Sequence, residues 1–446
     1  MGSVKKAETL DDIRRVCRPM PLKGEELDVF FVETDLARDP NMHTRQRLVG
    51  ALDTREDVRL LFYGHRGCGK STELNKLLAE QGERFFPVTF SILDEMNSVA
   101  VRAEDLILVI TERVLSRARE AGLNVSEAQL KPVLDYFSET VITSKTGKDS
   151  RLSVGAGASS KSGLLGQLLG VFVNLSGEIR LNAHSDETSV ARLRKRPADL
   201  ISQANCVIEA VRDSLPEDKR LLIVVEDLDK LDLKQAHEIY VNKTSLLTGI
   251  NTNIIYTIPV FLFHSPDANA FRHHFDDIVP LPMIKVTEPP ENPVAGFDTV
   301  RQIILQRFKN GLIEDSALDI LVKKTGGVLR HAFEVIHTAA LMANARIPLG
   351  EAHIQYGLNQ LRREFWQQIT LPYEGLPDGT DSVDALYDRL EIYGRKQQQG
   401  EKTLPKSDSV NQLLLKTCAL VEYNGMGWFG VHPLVMENLR DLGRLS

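Results

Sequence analysis

The sequence predicts an α/β protein in which helices cover a parallel β-sheet on both faces. Short apolar runs alternate with amphipathic helical stretches through the first two thirds of the chain, which is the order expected when helices connect parallel strands. One run, Leu221–Val225, is apolar at every position, which is typical of a central strand buried on both faces. A Gly-rich loop separates the first predicted strand, Arg59–Tyr63, from a helix.

The same alternation predicts the other elements of the sheet. Further strands are predicted at Phe86–Leu93, Asn253–Phe263 and Ile278–Val286. A long helix is predicted at Val101–Ala121, where apolar residues recur at helical spacing. Helix is also expected from about residue 188 to residue 214, leading into the apolar strand.

The stretch from about residue 143 to residue 187 differs in composition, because it is rich in Gly and Ser. It predicts an insertion in the sheet domain, built as a hairpin with a mobile tip; a surface loop is the alternative. Its apolar part, Ser162–Gly177, suggests a contact with a membrane or a partner. That part is too short and too polar for a transmembrane helix, so no transmembrane segment is expected.

After the Pro-rich break Glu288–Pro293 the pattern becomes helical. Four helices are predicted, at Gly296–Phe308, Asp315–Lys324, Val328–Ala343 and Gly350–Ile369. The Pro/Gly-rich segment Leu371–Gly379 then predicts a linker. The predicted domains are therefore 1–287, which carries the sheet, 288–370, which is helical, and 371–446.

Composition narrows the class of protein. The chain has 446 residues, 26% of them charged, and a formal net charge of −7, which gives no sign of a surface for polyanions. Its four cysteines form no CxxC pair or Cys/His set, so neither a disulfide framework nor a zinc site is expected. A charged N-terminus without an apolar core predicts no signal peptide. We therefore expect a cytoplasmic protein.

The loop Gly64–Ser71 carries the strongest motif, because it matches G-x-x-x-x-G-K-[ST] at every position. Its glycines let the backbone wrap a phosphate, and its N–H groups and the following helix stabilise negative charge. Lys70 would reach the β- and γ-phosphates, and the Ser71 hydroxyl would bind Mg²⁺. The alternative is a Gly-rich turn of the same pattern. The predicted ligands of ATP are Gly64, His65, Arg66, Gly67, Cys68, Gly69, Lys70, Ser71 and Thr72.

An acidic strand end accompanies this loop, about 150 residues later. Leu222–Asp227 is an apolar strand that ends in two carboxylates. In P-loop ATPases the strand that carries such a pair lies beside the phosphate loop, where one carboxylate holds Mg²⁺ and the next polarises the attacking water. Asp229 and Lys230 are interpreted as a local cap and ion pair.

The segment VVEDLDKL, residues 224–231, resembles the acidic strand end of origin-recognition-type AAA+ ATPases and of the related STAND and KAP NTPases. The resemblance implies a P-loop NTPase sheet with a helical lid and a C-terminal winged-helix-like domain. It also implies that Glu226 holds Mg²⁺ and that Asp227 is catalytic. The family has Asp first, so the order here departs from it and leaves the two roles open.

The resemblance implies three further catalytic residues. Thr257 lies on the next predicted strand, where the family carries a polar sensor of the γ-phosphate; a buried Thr bonded to backbone is the alternative. Arg330 ends the segment TGGVLR, similar to a second sensor in which a lid arginine points to the γ-phosphate, with a surface Arg as the alternative. Arg272 is a candidate finger for a neighbouring subunit, or else a solvated residue.

Residues 409–439 predict a helix, a hairpin and a second helix, similar to the winged-helix domain of these ATPases. That domain binds DNA in the origin-recognition type and is often regulatory or protein-binding in STAND proteins. From residue 351 to residue 446 there are ten Lys and Arg against thirteen Asp and Glu, so phosphate neutralisation is weak and DNA is disfavoured. The basic cluster Arg192–Arg196 is interpreted as a solvated helix face, or as a contact to phosphates.

Taken together, these features predict an ATP-hydrolysing switch that forms homo-oligomers and controls a partner protein. ATP and Mg²⁺ are the expected ligands. Such ATPases commonly occur in bacterial defence operons, so the resemblance also implies that setting. A DNA-binding AAA+ initiator or loader is the alternative function, and it requires salt-sensitive DNA binding.

Overall fold

The computed structural model describes residues 4–39, 41, 43–96, 101–144, 163–181, 189–288, 292–343, 347–372, 375–376, 380, 382–404, 406–424 and 428–446. Five parallel strands form the central sheet, in the spatial order β2-β3-β4-β1-β5. They are β1 Arg59–Tyr63, β2 Phe85–Ser91, β3 Arg220–Glu226, β4 Asn253–Ile258 and β5 Asp277–Pro280. Two short antiparallel pairs are β6 Thr287–Glu288 with β7 Asn292–Pro293, and β8 Leu420–Asn424 with β9 Trp428–Val431.

The helices before and within the sheet region are α1 Leu10–Val16, α2 Glu25–Phe30, α3 Asp35–Arg38, α4 Thr44–Leu52, α5 Lys70–Glu80, α6 Ile92–Glu95, α7 Ala103–Glu120, α8 Glu127–Ser144, α9 Leu164–Leu181, α10 Ser189–Arg194, α11 Pro197–Arg212, α12 Leu233–His237, α13 Thr244–Thr248, α14 Val260–Phe263 and α15 Ala268–Arg272. The later helices are α16 Ala295–Leu305, α17 Asp315–Thr325, α18 Leu329–Met342, α19 Glu351–Thr370, α20 Asp384–Gln398, α21 Ser409–Lys416 and α22 Pro433–Asp441. A 3₁₀ turn spans Leu228–Lys230, and a π turn spans Glu238–Asn242.

The sheet is buried on both faces, as the apolar runs predict. In β1 the side chains of Leu60 and Phe62 pack into one apolar core, and those of Leu61 and Tyr63 pack into the other. Successive side chains of a strand point to opposite faces, so helices must cover both sides. The chain has an α/β P-loop NTPase fold, which confirms the predicted fold class.

Two predicted strands are shorter than the apolar pattern suggested. The strand expected at Asn253–Phe263 ends at Ile258, and the strand expected at Ile278–Val286 ends at Pro280. Prolines follow or end both of them, at positions 259, 280 and 282. Proline has no N–H to donate to a neighbouring strand, so it ends the ladder although the apolar run continues.

The prediction of a hairpin in the Gly/Ser-rich insertion is wrong where the structure describes it, because residues 164–181 form helix α9. Leu168, Phe172, Leu175 and Ile179 are buried and recur every three or four residues. This face packs against α7 and α8. Residues 145–162 and 182–187 of the predicted insertion, and with them any mobile tip there, lie outside the described residues.

The packing of α9 also bears on the membrane hypothesis for Ser162–Gly177, because most apolar side chains of this segment are buried inside the protein, whereas Val173 is exposed. No helix in the part of the chain that the structure describes is long and apolar enough to cross a bilayer.

The helical region after the sheet matches the sequence closely, since α16 to α19 lie within a few residues of the four predicted helices. The later part contains α21, the hairpin β8–β9 and α22, in the predicted order, with the turn residues 425–427 outside the described set. Helix α21 packs against α14, and α22 packs against α17 and α19. The domain boundaries at 287 and 370 stay predictions.

Gly327 fixes how the lid helices meet the sheet region. It joins α17 to α18 with φ of 82°, and a Cβ atom there would lie 1.9 Å from Ile284 O. Gly311 has a similar φ of 84°, but nothing lies within 4 Å of its Cβ position. An alanine at Gly311 would therefore add only the cost of the backbone conformation, whereas an alanine at Gly327 would add the cost of a steric clash with Ile284 as well.

We expect Gly311→Ala to lower the free energy of unfolding by about 1–2 kcal/mol, the usual cost of the left-handed conformation. Gly327→Ala should cost at least about 2 kcal/mol more, because its methyl group forces Ile284 and the start of α18 apart. Chemical denaturation of both variants measures the difference. Equal losses would contradict the close contact at Gly327.

Candidate functional site

The predicted phosphate loop connects β1 to α5. β1 ends at Tyr63, and α5 begins at Lys70, directly after Gly69. Gly67 and Gly69 have φ of 84° and 106°, values that other residues adopt at a cost. The first turn of α5 therefore faces the loop with its free N–H groups, an arrangement that suits an anion.

Lys70 lies inside this loop, where its side chain is 6% exposed. Its Nζ donates to Gly64 O at 2.8 Å and to His65 O at 2.9 Å. It also pairs with Asp229 Oδ2 at 2.9 Å. Burial favours the neutral amine, but the Asp229 carboxylate outweighs this effect and raises the pKa of Lys70. The ammonium is therefore held charged.

Ser71 and Glu226, the predicted metal ligands, are brought together. The Ser71 hydroxyl bonds to the Glu226 carboxyl, although β3 and β1 are separated by β4. Burial raises the pKa of Glu226, with further raising by Asp227 and Asp229, while the Ser71 hydrogen bond opposes the shift. Hydroxyl and carboxylate oxygens are the ligand types that Mg²⁺ prefers, so the two residues fit this ion.

Asp227 is held on the side of β2. Its φ is 68°, its Oδ2 accepts a hydrogen bond from Ser91 Oγ at 2.7 Å, and its Oδ1 pairs with Lys230 at 2.5 Å. Neither of these contacts joins this carboxyl group to the loop or to Ser71. Its catalytic role stays a prediction. The local ion pair expected around Asp229 is instead formed by Asp227 with Lys230, whereas Asp229 reaches Lys70.

Thr257 is buried at the carboxyl end of β4, and its hydroxyl is bonded to main chain. Oγ1 accepts a hydrogen bond from Leu228 N at 3.1 Å and donates to Val225 O at 3.3 Å. These bonds correspond to the alternative interpretation, a buried threonine bonded to backbone. They tie the turn that follows β3 to the next strand. The sensor role stays a prediction.

Arg330, the predicted second sensor, lies against the loop, and its sensor role stays a prediction. Its N atom is 3.4 Å from Gly67 O, and a Cβ at Gly67 would lie 2.6 Å from the Arg330 Cβ. Its Nε is buried and has no hydrogen-bond partner among the described residues. A side-chain donor is thus available next to the phosphate loop.

Arg272, the predicted finger for a neighbouring subunit, makes contacts within its own chain. Its guanidinium lies 4.3 Å from the centre of the Phe263 ring, and Nη2 donates to Phe263 O at 2.8 Å. The structure therefore does not show it as a freely solvated residue, and its role as a finger stays a prediction.

His65 connects the loop to the C-terminal hairpin. Its Nε2 accepts a hydrogen bond from Glu422 N at 2.8 Å, and Glu422 O accepts one from Met283 N at 3.1 Å. The Glu422 carboxyl lies 3.1 Å from His264 Nε2. Burial, with smaller contributions from Lys70 and His264, lowers the pKa of His65 to about 3. The imidazole is therefore neutral and acts as the acceptor in this contact.

The other predicted loop residues have less specific contacts. Arg66 is exposed, Cys68 is fully buried, and Thr72 Oγ1 accepts a hydrogen bond from Leu22 N at 3.2 Å. Thr72 thus anchors the N-terminal segment to α5.

Sequence reasoning missed Arg38. This side chain is buried, and its Nη2 donates to Cys68 O at 2.7 Å, while Nε donates to Thr34 Oγ1 at 2.9 Å. Nη1 also donates to Pro282 O. Arg38 precedes the loop by 26 residues in an unremarkable acidic and basic stretch, and no spacing rule connects it to the motif.

Comparisons with known proteins give structural matches alone. No family model matches the chain, and no curated protein matches it. The ORC1 protein of Aeropyrum pernix, solved in complex with DNA, is 13% identical with a TM-score of 0.36 and covers 96% of each chain. Cdc6p from Pyrobaculum aerophilum is 12% identical with a TM-score of 0.36, over 92% of this chain and 99% of that one. The RuvB Holliday junction branch migration motor of Thermotoga maritima is 13% identical with a TM-score of 0.36, over 96% and 98%.

The buried, neutral His65 predicts a pH dependence of stability. Its folded pKa is about 3, below the ordinary value of about 6.5, so below pH 6.5 the unfolded chain takes up a proton that the folded chain does not. The stability from this residue is present above pH 6.5 and is lost as the pH falls toward 3. Between pH 7 and pH 5 it should lower the free energy of unfolding by about 2 kcal/mol.

His65→Gln keeps an acceptor for Glu422 N but cannot titrate, so its stability should fall less between pH 7 and pH 5 than that of the wild type. His273→Gln, at an exposed position, serves as the control and should follow the wild type. Chemical denaturation at both pH values measures the three proteins. Parallel losses in His65→Gln and the wild type would show that His65 takes up a proton as readily in the folded protein as in the unfolded chain.

Proposed function

We propose that this chain is an AAA+-type ATPase that binds ATP and Mg²⁺ on the loop Gly64–Ser71 and hydrolyses the γ-phosphate bond. One observation carries the proposal: strand β3 and helix α18, both distant in sequence, meet the loop and the start of helix α5. They supply the Lys70 ammonium, the Ser71–Glu226 pair and the Arg330 side chain beside Gly67. A chance match to the motif would not require these partners.

Each group has a role that its chemistry supports. The loop N–H groups and Lys70 would bind phosphate oxygens, and Ser71 with Glu226 would hold Mg²⁺. The metal ion would neutralise phosphate charge. Arg330, whose Nε has no partner in the part of the chain that the structure describes, would bind a terminal phosphate from the lid side. Asp227 is the predicted residue that orients the attacking water.

The proposal includes a nucleotide-dependent switch. The C-terminal hairpin bonds to His65, a residue of the phosphate loop itself, through Glu422 N. A change in the loop on nucleotide binding would therefore act directly on the hairpin and on the helices packed beside it. Homo-oligomer formation, control of a partner protein and a place in bacterial defence stay predictions from the resemblance, and a cytoplasmic location stays a prediction from composition.

Lys70→Ala should abolish nucleotide binding, because it removes the cation of the loop. Isothermal titration with ADP or ATP and Mg²⁺ measures this, and thermal unfolding shows whether the variant is folded. Lys76→Ala is the matched control, since Lys76 lies on the same helix and pairs with Glu80 at the surface. Unchanged affinity in folded Lys70→Ala protein would refute binding at this loop.

The roles of the two adjacent carboxylates can be separated. Glu226→Gln should remove the effect of Mg²⁺ on nucleotide affinity, because Glu226 is the carboxylate bonded to Ser71. Asp227→Asn should keep the affinity and lower the turnover rate by about a hundredfold or more. Affinity titrations with and without Mg²⁺ and phosphate release assays test both. The opposite pattern would exchange the two assignments.

A further inference from the structure

In the structure, each N–H donor of the Lys70 ammonium group has an acceptor. An ammonium group has three N–H bonds, and the structure gives Nζ three acceptors, at 2.8 Å, 2.9 Å and 2.9 Å. Two are main-chain carbonyls of the loop, and the third is the carboxylate of Asp229. A phosphate oxygen can therefore bond to Lys70 only by displacing one of them.

Asp229 differs from the other two acceptors because it carries a full charge and belongs to another element. It lies on the 3₁₀ turn Leu228–Lys230 that follows β3. Both side chains of the pair are 6% exposed, so water screens the attraction little. The ion pair therefore places a protein anion at the group that would bind phosphate.

The position of this turn is fixed by the neighbouring strand. Leu228 N donates to Thr257 Oγ1, and the same hydroxyl donates to Val225 O. Since Thr257 is fully buried in β4, Asp229 is presented to Lys70 from a rigid support. Movement of Asp229 away from Lys70 would involve a rotation of its side chain or a break in these bonds.

The nearby carboxylates have partners of their own. Glu226 bonds to Ser71, and Asp227 pairs with Lys230 and Ser91. Displacement of Asp229 would thus leave a buried carboxylate without its cation, next to two other acidic residues. Breaking a buried pair in this way is costly, and the cost opposes nucleotide binding.

We propose that Asp229 competes with nucleotide phosphate for Lys70 and thereby sets the nucleotide affinity of the loop. The inference rests on the proposed function, because it names the regulator of the same site. Removal of the competing charge leaves Lys70 buried and uncompensated, which favours an anionic ligand. Variants with a neutral residue at position 229 should therefore bind nucleotide more tightly than the wild-type protein, which has Asp there.

The test is a titration of ADP with Mg²⁺ into wild type, Asp229→Asn, Asp229→Glu and Asp232→Asn. Asp229→Asn should lower the Kd for ADP by about tenfold, equivalent to about 1.4 kcal/mol. Asp229→Glu keeps the charge and should stay nearer the wild-type Kd. Asp232 caps α12 through Gln235 N, so Asp232→Asn is the matched control and should bind like the wild type.

A Kd for Asp229→Asn that equals or exceeds the wild-type value, in protein that binds ADP, would overturn the competition. Absence of ADP binding to the wild type would instead refute the proposed function itself. If Asp229→Asn does not fold alone, refolding with ADP should recover it, because phosphate then supplies the missing charge. Failure to fold with ADP as well would assign the pair a purely structural role and overturn the proposal.

Discussion

The buried ammonium of Lys70 is the charge on which the arrangement of the candidate site depends. A cation removed from water needs acceptors at fixed positions, and two parts of the chain provide them. The loop carbonyls of Gly64 and His65 belong to the segment after β1, whereas Asp229 follows β3. Strand β4 lies between these strands. The ion pair thus connects two strand ends across a third, and Thr257 of that third strand holds the turn in place.

The C-terminal part of the chain is hydrogen-bonded to this site through Glu422. Glu422 bonds through its N atom to His65, through its O atom to Met283 and through its carboxyl group to His264. The first bond requires an acceptor nitrogen, so it exists only while the imidazole is neutral. Burial provides that condition, but burial itself depends on the hairpin that covers the ring. The hairpin and the neutral state of His65 therefore support each other.

The sequence alone predicted those features that a local pattern encodes. The phosphate motif, the buried strand before Glu226 and the lid helix that begins near Arg330 all follow from spacing within short segments. The prediction of a hairpin at α9 is wrong because it rests on the Gly and Ser content of the segment. The apolar residues of the same segment recur every three or four positions, which is the spacing of a helix. The Asp229–Lys70 and Arg38–Cys68 contacts could not be predicted, because they join residues 159 and 30 positions apart. Such contacts are set by the packing of whole elements, and neither the phosphate motif nor the acidic strand end specifies which residues they join.

Residues with an unfavourable backbone conformation lie in the same region as the charged groups around Lys70. Among the described non-glycine residues, Asp227 and Cys418 alone have positive φ, at 68° and 58°. Asp227 begins the turn that presents Asp229, and Cys418 precedes the hairpin and contacts Arg66 O at 3.7 Å. Each such residue costs about 1 kcal/mol or more and persists where surrounding contacts hold it. One therefore starts the turn whose Asp229 pairs with Lys70, and the other contacts the loop from the C-terminal part. A ligand that moved the loop would act on the turn through the Lys70–Asp229 pair and on the segment before the hairpin through the Arg66–Cys418 contact. The phosphate site is therefore coupled to the C-terminal part through packing as well as through charge.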